Sequence, residues 1–566
     1  MHESDLSAAD TGGMNRAFDD LCSEYYPAWL RYHPERAVDI GVYDFAGQLT
    51  SYEHDDIGAL IVLNQKMLSA LEEVSFSQLD AGRQTDFRIL KGAITIELHD
   101  LEDNDWRYRD PVAYVPVNAI YQLLIHPGNK VPQAIKSRLE LIPEYLRGAK
   151  QMLSRYPERV VPEWTQTAVT ICRRWADFIR DLPRQPGITC VFTHPERLQH
   201  LFDSAAVALV DFAHYLEDEL LPSAQGKFAS GSYRFERLLH ERHFLPLDAQ
   251  QLLAFGERLA AETEQALLAQ SELLCGEKNI QQALAMVQAE HPEPSQLLDG
   301  YRQKMQAAQQ WLKTADIVTV PEEQSLKVLP TPAFLRGLIP FAAYEPPVPQ
   351  DSRQRGLYYV TTAEDPQQLA EHNVYSMELT SAHEAFPGHH LQFVIANRLN
   401  RDNLTRLLNA SASLYEGWAL YCEQLVIEQG LYNKKEHRFV LLRDRLWRAL
   451  RVIIDVSIHT GRMSLDEAVQ LLVDRLGFAP QQAEAEIRWY SHAAATPLCY
   501  ALGREMIVQA REKLAPGDPA ALCEFHDKLL SQGSIALPLV MQAVFGEDLL
   551  ADVFEESFKL AVGSRQ

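Results

Sequence analysis

Two histidines six residues apart, His383 and His389, constrain the fold most strongly, because the residues between them cannot continue a straight helix. They lie in the stretch Ser381-Ala-His-Glu-Ala-Phe-Pro-Gly-His-His390. On a regular helix, six residues turn through about 600°, which leaves the two rings about 120° apart in direction and about 9 Å apart along the axis. Pro387 has no N–H to donate to the carbonyl of His383, and its ring clashes with that carbonyl. We therefore predict that two extra residues loop out before Gly388 and return His389 to the side of His383.

Carboxylates accompany these imidazoles in the sequence. Glu384 directly follows the first histidine, and Glu416 and Glu423 lie on nearly the same face of a later predicted helix. Two neutral imidazoles and one carboxylate suit zinc and leave a fourth position for water. Either later glutamate can complete the set of three, and His390 is expected to face a neighbouring or substrate group. Glu384 can then point to the water and act as a general base.

A family resemblance rests on these residues. The run His383-Glu-Ala-Phe-Pro-Gly-His-His-Leu-Gln392 with Glu416-Gly-Trp-Ala-Leu-Tyr421 resembles the bacterial family known as domain of unknown function 885, in the zincin-like metallopeptidase clan. Further matching pieces are Asp455 with His459, Arg488-Trp-Tyr490, Pro497-x-x-Tyr500-x-x-Gly503, and Phe525-His526 before Gly533-Ser534. The resemblance spans most of the chain. It implies a mainly helical, zinc-dependent, peptidase-like protein without naming a substrate, and it favours His383, His389 and Glu416 as the metal ligands.

Tyrosine and arginine side chains complete the expected catalytic set. A tetrahedral oxyanion needs a hydrogen-bond donor, and the phenols of Tyr490 and Tyr500 donate without adding charge. Arg488 or Arg504 could bind a substrate carboxylate through two hydrogen bonds. The resemblance alone favours Arg488 and Tyr490. A packing role for each tyrosine and a surface ion pair for each arginine stay open as alternatives.

Asp455 and His459 lie four residues apart and therefore share a helix face. They can form a carboxylate–imidazole pair that supports the metal ligands. A solvent-facing pair without a role at the site is the alternative.

The pattern of apolar residues predicts a mainly α protein. With the resemblance, we expect a large helical zincin-like metallopeptidase fold, with two helical lobes around a cleft and a small β-sheet next to the metal-binding helix. Residues 1–315 would form the N-terminal helical lobe, and residues 316–566 the C-terminal metal-binding catalytic lobe with the small sheet, within one family-level unit. Short β-branched runs at 317–320, 326–329 and 356–362 are typical of strands. Residues 358–361 would either hold an extended peptide at a sheet edge or form an interior strand.

Composition excludes several classes of partner. The chain has 53 Lys and Arg against 77 Asp and Glu, a formal charge of −24, which repels phosphate backbones and anionic lipid. We therefore expect neither a nucleic acid nor a membrane partner. No apolar run approaches the ~18 residues of a membrane span, and the N-terminal residues contain no apolar run typical of a signal peptide. The seven cysteines are dispersed, without a Cys-x-x-Cys pair, which favours a cytoplasmic, reducing compartment.

Together these features predict a zinc-dependent hydrolase, a peptidase of the carboxypeptidase or oligopeptidase type. It would use one Zn²⁺ ion, a zinc-activated water and Glu384 as general base, on a peptide or small amide substrate. In one alternative the metal is the same but the bond that is cleaved is not a peptide bond: the protein would be an amidase or deacylase acting on a non-peptide metabolite. The other is a non-catalytic scaffold in which metal only braces the fold.

Overall fold

The computed structural model describes residues 3–558, apart from 127, 129, 185–187, 189–190, 193, 337–338, 340 and 363–364. The described residues are mainly helical and include one three-stranded sheet, as the sequence predicts. They form two compact units, residues 1–228 and 229–566. Of the seven cysteines, Cys190 lies outside the described residues.

The first unit is helical. Its regular helices are α1 (Glu3–Tyr32), α2 (Pro34–Asp39), α3 (His54–Glu72), α4 (Ala81–Glu102), α5 (Val117–Ile125), α6 (Val131–Leu153), α7 (Pro162–Asp181) and α8 (Gln199–His214). Helix α7 begins at a proline, whose fixed φ suits the first helical turn. Its buried side chains recur at helical spacing, at Ala168, Cys172, Trp175 and Ile179, and α7 packs against α8. Burial of that apolar stripe therefore holds the two helices together.

The second unit begins with helices and then forms the sheet. Its elements up to that point are α9 (Gly231–Arg237), α10 (Ala249–Cys275), α11 (Ile280–Gln288), α12 (Leu297–Ala315), β1 (Ser325–Pro330), β2 (Ala342–Glu345) and β3 (Arg355–Val360). The remaining helices are α13 (Pro366–Glu371), α14 (Val374–Glu384), α15 (His389–Asn400), α16 (Leu404–Leu408), α17 (Ala412–Glu428), α18 (Lys435–His459), α19 (Leu465–Leu476), α20 (Pro480–His492), α21 (Cys499–Leu514), α22 (Pro519–Leu530), α23 (Leu537–Phe545) and α24 (Glu547–Phe558).

The boundary between the units differs from the predicted one at residues 315 and 316. Residues 229–315 belong to the second unit, because α10 packs along α18. The two helices approach each other closely at Gly256 of α10, where an added Cβ atom would lie 3.0 Å from Ile453 Cγ1 and 3.1 Å from Val452 Cβ of α18. Composition changes near residue 315, where helix gives way to strand, but this change does not mark the limit of a packed unit.

The sheet has the strand order β1-β3-β2, with β1 parallel and β2 antiparallel to β3. The predicted strands at 326–329 and 356–362 are confirmed as β1 and β3. The expectation that residues 358–361 could hold a peptide at a sheet edge is wrong, because β3 is the central strand and both its edges are paired. The predicted strand at 317–320 is also wrong: α12 ends at Ala315, and the following residue, Asp316, is left-handed. The Ile317 carbonyl accepts a hydrogen bond from His526 Nδ1 instead of joining the sheet.

None of the described helices combines the length and the apolar character that a membrane span requires.

Candidate metal centre

The two histidines lie on either side of a break between α14 and α15. Asn373 caps the start of α14 by accepting a hydrogen bond from the Ser376 amide at 2.9 Å. At the other end of α14, the amides of Ala385 and Phe386 both donate to the Ser381 carbonyl, at 3.1 and 3.2 Å. The regular series of helical hydrogen bonds therefore stops there. The predicted interruption of the helix is therefore confirmed.

Gly388 is the residue that lets the chain turn so tightly. A Cβ atom at this position would lie 1.8 Å from the His383 carbonyl oxygen and 2.4 Å from that of Ala382. Its amide donates to the Ala382 carbonyl at 2.9 Å, and α15 then begins at His389. Because backbone atoms fill the space of a side chain, only glycine fits here.

The break brings two imidazoles to one carboxylate. The His383 and His389 rings are 4.8 Å apart and nearly perpendicular. Their Nε2 atoms lie 3.6 and 3.3 Å from Glu416 Oε2, and ligand atoms of the three residues all fall within 4.8 Å of one another. Ligands at about 2.0–2.1 Å from a tetrahedral zinc ion lie about 3.3 Å from each other. The spacing of these three side chains therefore fits a zinc ion.

The hydrogen bonds around the trio also fit a metal. Glu416 Oε2 is buried without a hydrogen-bond partner among the described residues, although both Nε2 atoms face it. His383 Nδ1 donates to Glu423 Oε1 at 2.7 Å, which leaves its Nε2 as the metal-facing atom. A carboxylate on the far nitrogen of a ligating histidine is the usual arrangement in zinc proteins. Glu423 is thus placed to orient His383, and Glu416 faces both Nε2 atoms as a candidate ligand.

The charges of the cluster favour a bound cation. Burial acts to lower the pKa of His383, but the neighbouring Glu416 and Glu423 carboxylates outweigh it and raise the pKa to about 10. Burial acts to raise the pKa of Glu416, but His389 and His383 outweigh it and hold the pKa below its usual value. The carboxylates therefore stabilise positive charge at the centre, whether it is carried by protons or by a metal ion.

Helix α17 carries Glu416 and is fixed on two sides. A Cβ atom on Gly417 would lie 2.6 Å from Gly503 Cα of α21, so the two backbones touch where both residues are glycine. The Trp418 indole donates to the Pro387 carbonyl at 2.9 Å, which joins α17 to the turn between the two histidines. Glu416, the candidate third ligand, is therefore held by packing that involves its immediate neighbours.

Replacing Gly417 with alanine is expected to destabilise the protein by about 1–3 kcal/mol, the usual range for overpacking a close contact. The added methyl group would press on backbone atoms of α21, which have no rotamer to change. Urea unfolding measures the loss. Gly58→Ala is the control, since a Cβ there meets nothing within 4 Å in the interior of α3. Equal effects at the two glycines would contradict this account of the α17–α21 contact.

Replacing Glu423 with glutamine is expected to weaken zinc binding by about 10–100-fold, as loss of a partner to a ligating histidine usually does. A neutral amide holds the Nδ1–H of His383 less strongly than the carboxylate does. Competition with a chelating dye measures the zinc affinity. Glu428→Gln on the same helix is the control, because Glu428 is exposed and pairs with Arg511. Unchanged affinity in the Glu423 variant would show that this carboxylate does not support the ligand.

Glu384 lies beside the metal ligands in an enclosed setting. Burial raises its pKa, and the nearby Glu416 and Glu423 carboxylates add to the effect, while His383 and His389 oppose it. A raised pKa brings a carboxyl group closer to the range in which a general base works best. Its negative charge in turn helps to raise the pKa values of Tyr301, Tyr344 and Tyr358, after burial as the main cause. Three buried phenols are thus close enough to Glu384 for its charge to affect their pKa values.

His390 is part of a structural chain of hydrogen bonds. Its Nε2 pairs with Gln324 Oε1 at 2.9 Å, and its Nδ1 pairs with the Tyr344 hydroxyl at 3.0 Å. Burial lowers its pKa to about 3, so the ring is neutral. The Tyr344 ring stacks on His389 at 6.0 Å and 18°. His390 therefore positions Tyr344 against His389, a candidate metal ligand. The sequence does not single out Tyr344, because a lone tyrosine on a short strand resembles an ordinary core residue.

The structure separates the predicted tyrosines and arginines. Tyr500 lies beside Glu416, and burial together with that carboxylate raises its pKa well above its usual value. The Tyr490 hydroxyl donates to Glu486 at 2.8 Å and accepts from Arg451 and Trp447. The structure thus brings Tyr500 to the metal trio and engages the Tyr490 hydroxyl elsewhere.

The two arginines expected to bind a carboxylate are also placed differently from each other. Arg488 is exposed on α20. Arg504 is buried and donates to Glu505 at 2.7 Å and to Gln424. Neither side chain is brought to the His383–His389–Glu416 trio.

Asp455 and His459 are buried, which excludes a solvent-facing pair. Asp455 accepts the amides of Ala495 and Leu498, at 3.2 and 3.3 Å, immediately before α21. His459 Nε2 pairs with the Tyr490 carbonyl at 3.0 Å. Both side chains therefore fix the segment that leads from α20 into α21, the helix of Tyr500.

Two solved structures share this fold. A predicted lipoprotein of unknown function from Shewanella oneidensis superimposes with a TM-score of 0.74 at 19% identity, covering 93% of this chain and 99% of that one. A predicted lipoprotein from Colwellia psychrerythraea superimposes with a TM-score of 0.78 at 18% identity, covering 95% of this chain and 99% of that one. At such low identity, the two matches establish a shared fold alone. No curated protein sequence matches the chain.

The family relationship is established by sequence. The model of the DUF885 family, described as a bacterial protein of unknown function, matches residues 34–544. That range contains the two histidines, the turn between them and the helix of Glu416. This chain therefore belongs to the DUF885 family of bacterial proteins of unknown function.

Proposed function

We propose that this protein is a zinc-dependent hydrolase of the zincin-like type that cleaves peptide bonds. The observation that carries the proposal is the convergence of His383 Nε2, His389 Nε2 and Glu416 Oε2, with Glu423 holding the far nitrogen of His383. Three protein ligands with an open fourth position are typical of catalytic zinc, whereas structural sites use four.

Glu384 would move the proton in this reaction. A bound zinc ion supplies Lewis-acid polarisation and makes a water nucleophile available near neutral pH. Glu384 immediately follows the first ligand, and its pKa is raised by burial, which suits a group that must both accept and release a proton. In our proposal, its carboxylate takes the proton of the attacking water and then gives it to the departing nitrogen.

Tyr500 would stabilise the negative charge that develops on the carbonyl oxygen. It lies beside Glu416, and its raised pKa keeps the phenol protonated and able to donate. A neutral donor at this place stabilises the oxyanion without attracting a second anion. Tyr490 is not assigned this role, because Glu486, Arg451 and Trp447 already engage its hydroxyl.

The edge of β2 supports a peptide as the substrate. The Thr361 amide donates to the Phe341 carbonyl at 2.8 Å, which fixes the antiparallel ladder. Alternate residues of β2 then face β3, and the N–H and C=O groups of Ala342 and Tyr344 point to the opposite side. Because the Tyr344 ring stacks on His389, this edge runs beside the proposed metal centre. An extended peptide could add to it as a further strand.

We place this activity in the cytoplasm. The described cysteines Cys22, Cys172, Cys275, Cys422, Cys499 and Cys523 are all free thiols, as expected in a reducing compartment. The two structural relatives carry the description lipoprotein, so the compartment needs a direct test. Fractionation of the native cells, followed by immunoblotting, would place the protein with cytosolic or with envelope markers.

Metal analysis and a substrate screen together test the proposal. We expect about one zinc ion per purified chain, and cleavage of short peptides in a mass-spectrometric library screen that stops with a chelator and returns with zinc. Hydrolysis of acylated metabolites without any peptide cleavage would favour the amidase or deacylase alternative. Zinc-dependent stability without turnover of either class would favour the scaffold.

A further inference from the structure

Helix α18 carries three arginines at intervals of three residues, Arg445, Arg448 and Arg451. Four of their guanidinium nitrogens are buried without a hydrogen-bond partner among the described residues: Arg445 Nε, Arg448 Nε, Arg448 Nη1 and Arg451 Nη1. An arginine stays charged at any physiological pH and offers five donors. Burying such donors unpaired is costly, so a buried group of them indicates a place for an anionic acceptor.

The acidic residues that pair with this group engage only some of its donors. Arg445 shares Glu505 with the buried Arg504, at 3.5 and 2.7 Å respectively. Glu486 pairs with Arg451 at 3.0 Å, and Asp444 approaches Arg448 only to 3.8 Å. These ion pairs still leave the four nitrogens named above without a hydrogen bond. A further acceptor placed among them would satisfy those donors.

Aromatic rings hold two of the arginines in place. The guanidinium carbons of Arg448 and Arg451 lie 4.0 and 4.4 Å from the centre of the Trp447 ring. Arg451 also lies 4.5 Å from the ring of Tyr500, and its Nε donates to Tyr490 at 2.9 Å. Stacking against an aromatic ring orients a guanidinium group while it leaves the in-plane donors for an oxyanion.

The position of Arg451 links this group to the metal centre. Tyr500 contacts Arg451 with its ring and lies beside Glu416, the proposed third ligand. One tyrosine side chain therefore separates the guanidinium from the trio. That separation is on the order of two residues of extended peptide, at about 3.3–3.6 Å per residue. An acceptor here would lie close to the bond being cleaved.

We propose that Arg448 and Arg451 bind a carboxylate group of the substrate, one or two residues from the scissile bond. The proposal rests on the hydrolase function and specifies its substrate class. The carboxylate is either the C-terminal group of a short peptide, which would make the protein a carboxypeptidase, or an acidic side chain. Arg488 is not assigned this role because it is exposed. Arg504 is not assigned it because, among the described residues, its guanidinium has no buried nitrogen without a partner, whereas those of Arg448 and Arg451 do.

Three matched libraries of N-acetylated tripeptides test the proposal: one with free C-termini, one amidated without acidic residues, and one amidated with glutamate. For the wild type we expect at least a tenfold higher kcat/KM on a library that carries a carboxylate than on the neutral one. Preference for the free C-terminus identifies the terminal group, and preference for the glutamate library identifies a side chain. Equal rates on all three libraries would overturn the proposal.

Variants then assign the carboxylate to the two arginines. Arg448→Gln and Arg451→Gln should raise KM for the preferred library at least tenfold, and so remove its advantage over the neutral library. Arg451→Lys keeps the positive charge and should recover part of the preference for a carboxylate. This variant also tests the role of Arg451 if the Arg451→Gln protein does not fold. The exposed Arg438 on the same helix gives the control Arg438→Gln, expected to behave as the wild type. Variants that retain the full preference would rule out these residues.

A binding measurement separates this proposal from the hydrolase function. Calorimetric titration of the Glu384→Gln protein with the free-acid, glutamate-amide and neutral amide libraries does not depend on turnover. Tighter binding of a carboxylate-bearing library that is lost in Arg448→Gln supports the subsite even if no peptide is ever cleaved. Peptide cleavage by the wild type without any such preference in binding would retain the hydrolase and reject the subsite.

Discussion

The Glu384→Gln protein is expected to keep its zinc and to lose kcat by about 10²–10⁴-fold, the contribution that a general base usually makes. The carboxylate is not one of the three groups that converge on the ion, so metal content should not change. Glutamine has nearly the same shape and cannot accept the proton of the water. Zinc content by mass spectrometry and initial rates on the peptide found in the screen measure the two effects separately.

The control for this experiment is Glu484→Gln, which changes an exposed glutamate on α20 and should leave both quantities as in the wild type. A Glu384→Gln protein with full metal and full activity would show that another group handles the proton. Loss of the metal together with activity would instead make Glu384 part of the binding site, and the assignment of Glu416 would have to be revised.

The His389→Ala protein is expected to lose both zinc and turnover, because one of the three converging ligand atoms is removed. At a free zinc concentration of 100 times Kd, binding stabilises the wild type by about 2.7 kcal/mol. Thermal unfolding with and without added zinc should therefore show a rise in Tm for the wild type and none for the variant. The change also removes the ring on which Tyr344 stacks, so the metal-free Tm is compared as well.

An exposed histidine in the same unit, His240, provides the control variant His240→Ala. It should bind zinc and respond to added zinc as the wild type does. A zinc-dependent rise in Tm that survives in the His389→Ala protein would mean that the ion binds elsewhere, and the candidate centre would lose its main support.

The break between α14 and α15 could be predicted from sequence because its cause is local. Pro387 cannot continue the ladder, and Gly388 sits where a side chain would meet the His383 carbonyl, so the proline and glycine between the two histidines are sufficient evidence. The mainly helical character follows from the apolar period for a similar reason: Ala468, Leu472 and Leu476, spaced four residues apart, are the buried residues of α19. Such features depend on residues a few positions apart.

The features that were missed depend on residues far apart in the chain. For Tyr490 the sequence leaves two roles open, oxyanion donor or packing, and its hydroxyl is engaged by Arg451 and Trp447 of α18, about which the sequence near Tyr490 carries no information. The limit of the second unit is likewise set at a distance, because the packing of α10 against α18 assigns residues 229–315 to that unit.

The hydrogen bond from the Trp418 indole to the Pro387 carbonyl has a consequence for metal exchange. It couples the helix of Glu416 to the bent segment between His383 and His389. The three proposed ligands therefore have little conformational entropy left to lose when an ion binds. A preorganised cage should accept cobalt in place of zinc without a change of backbone conformation. The visible absorption of the cobalt-substituted protein would then report directly on the geometry around the ion.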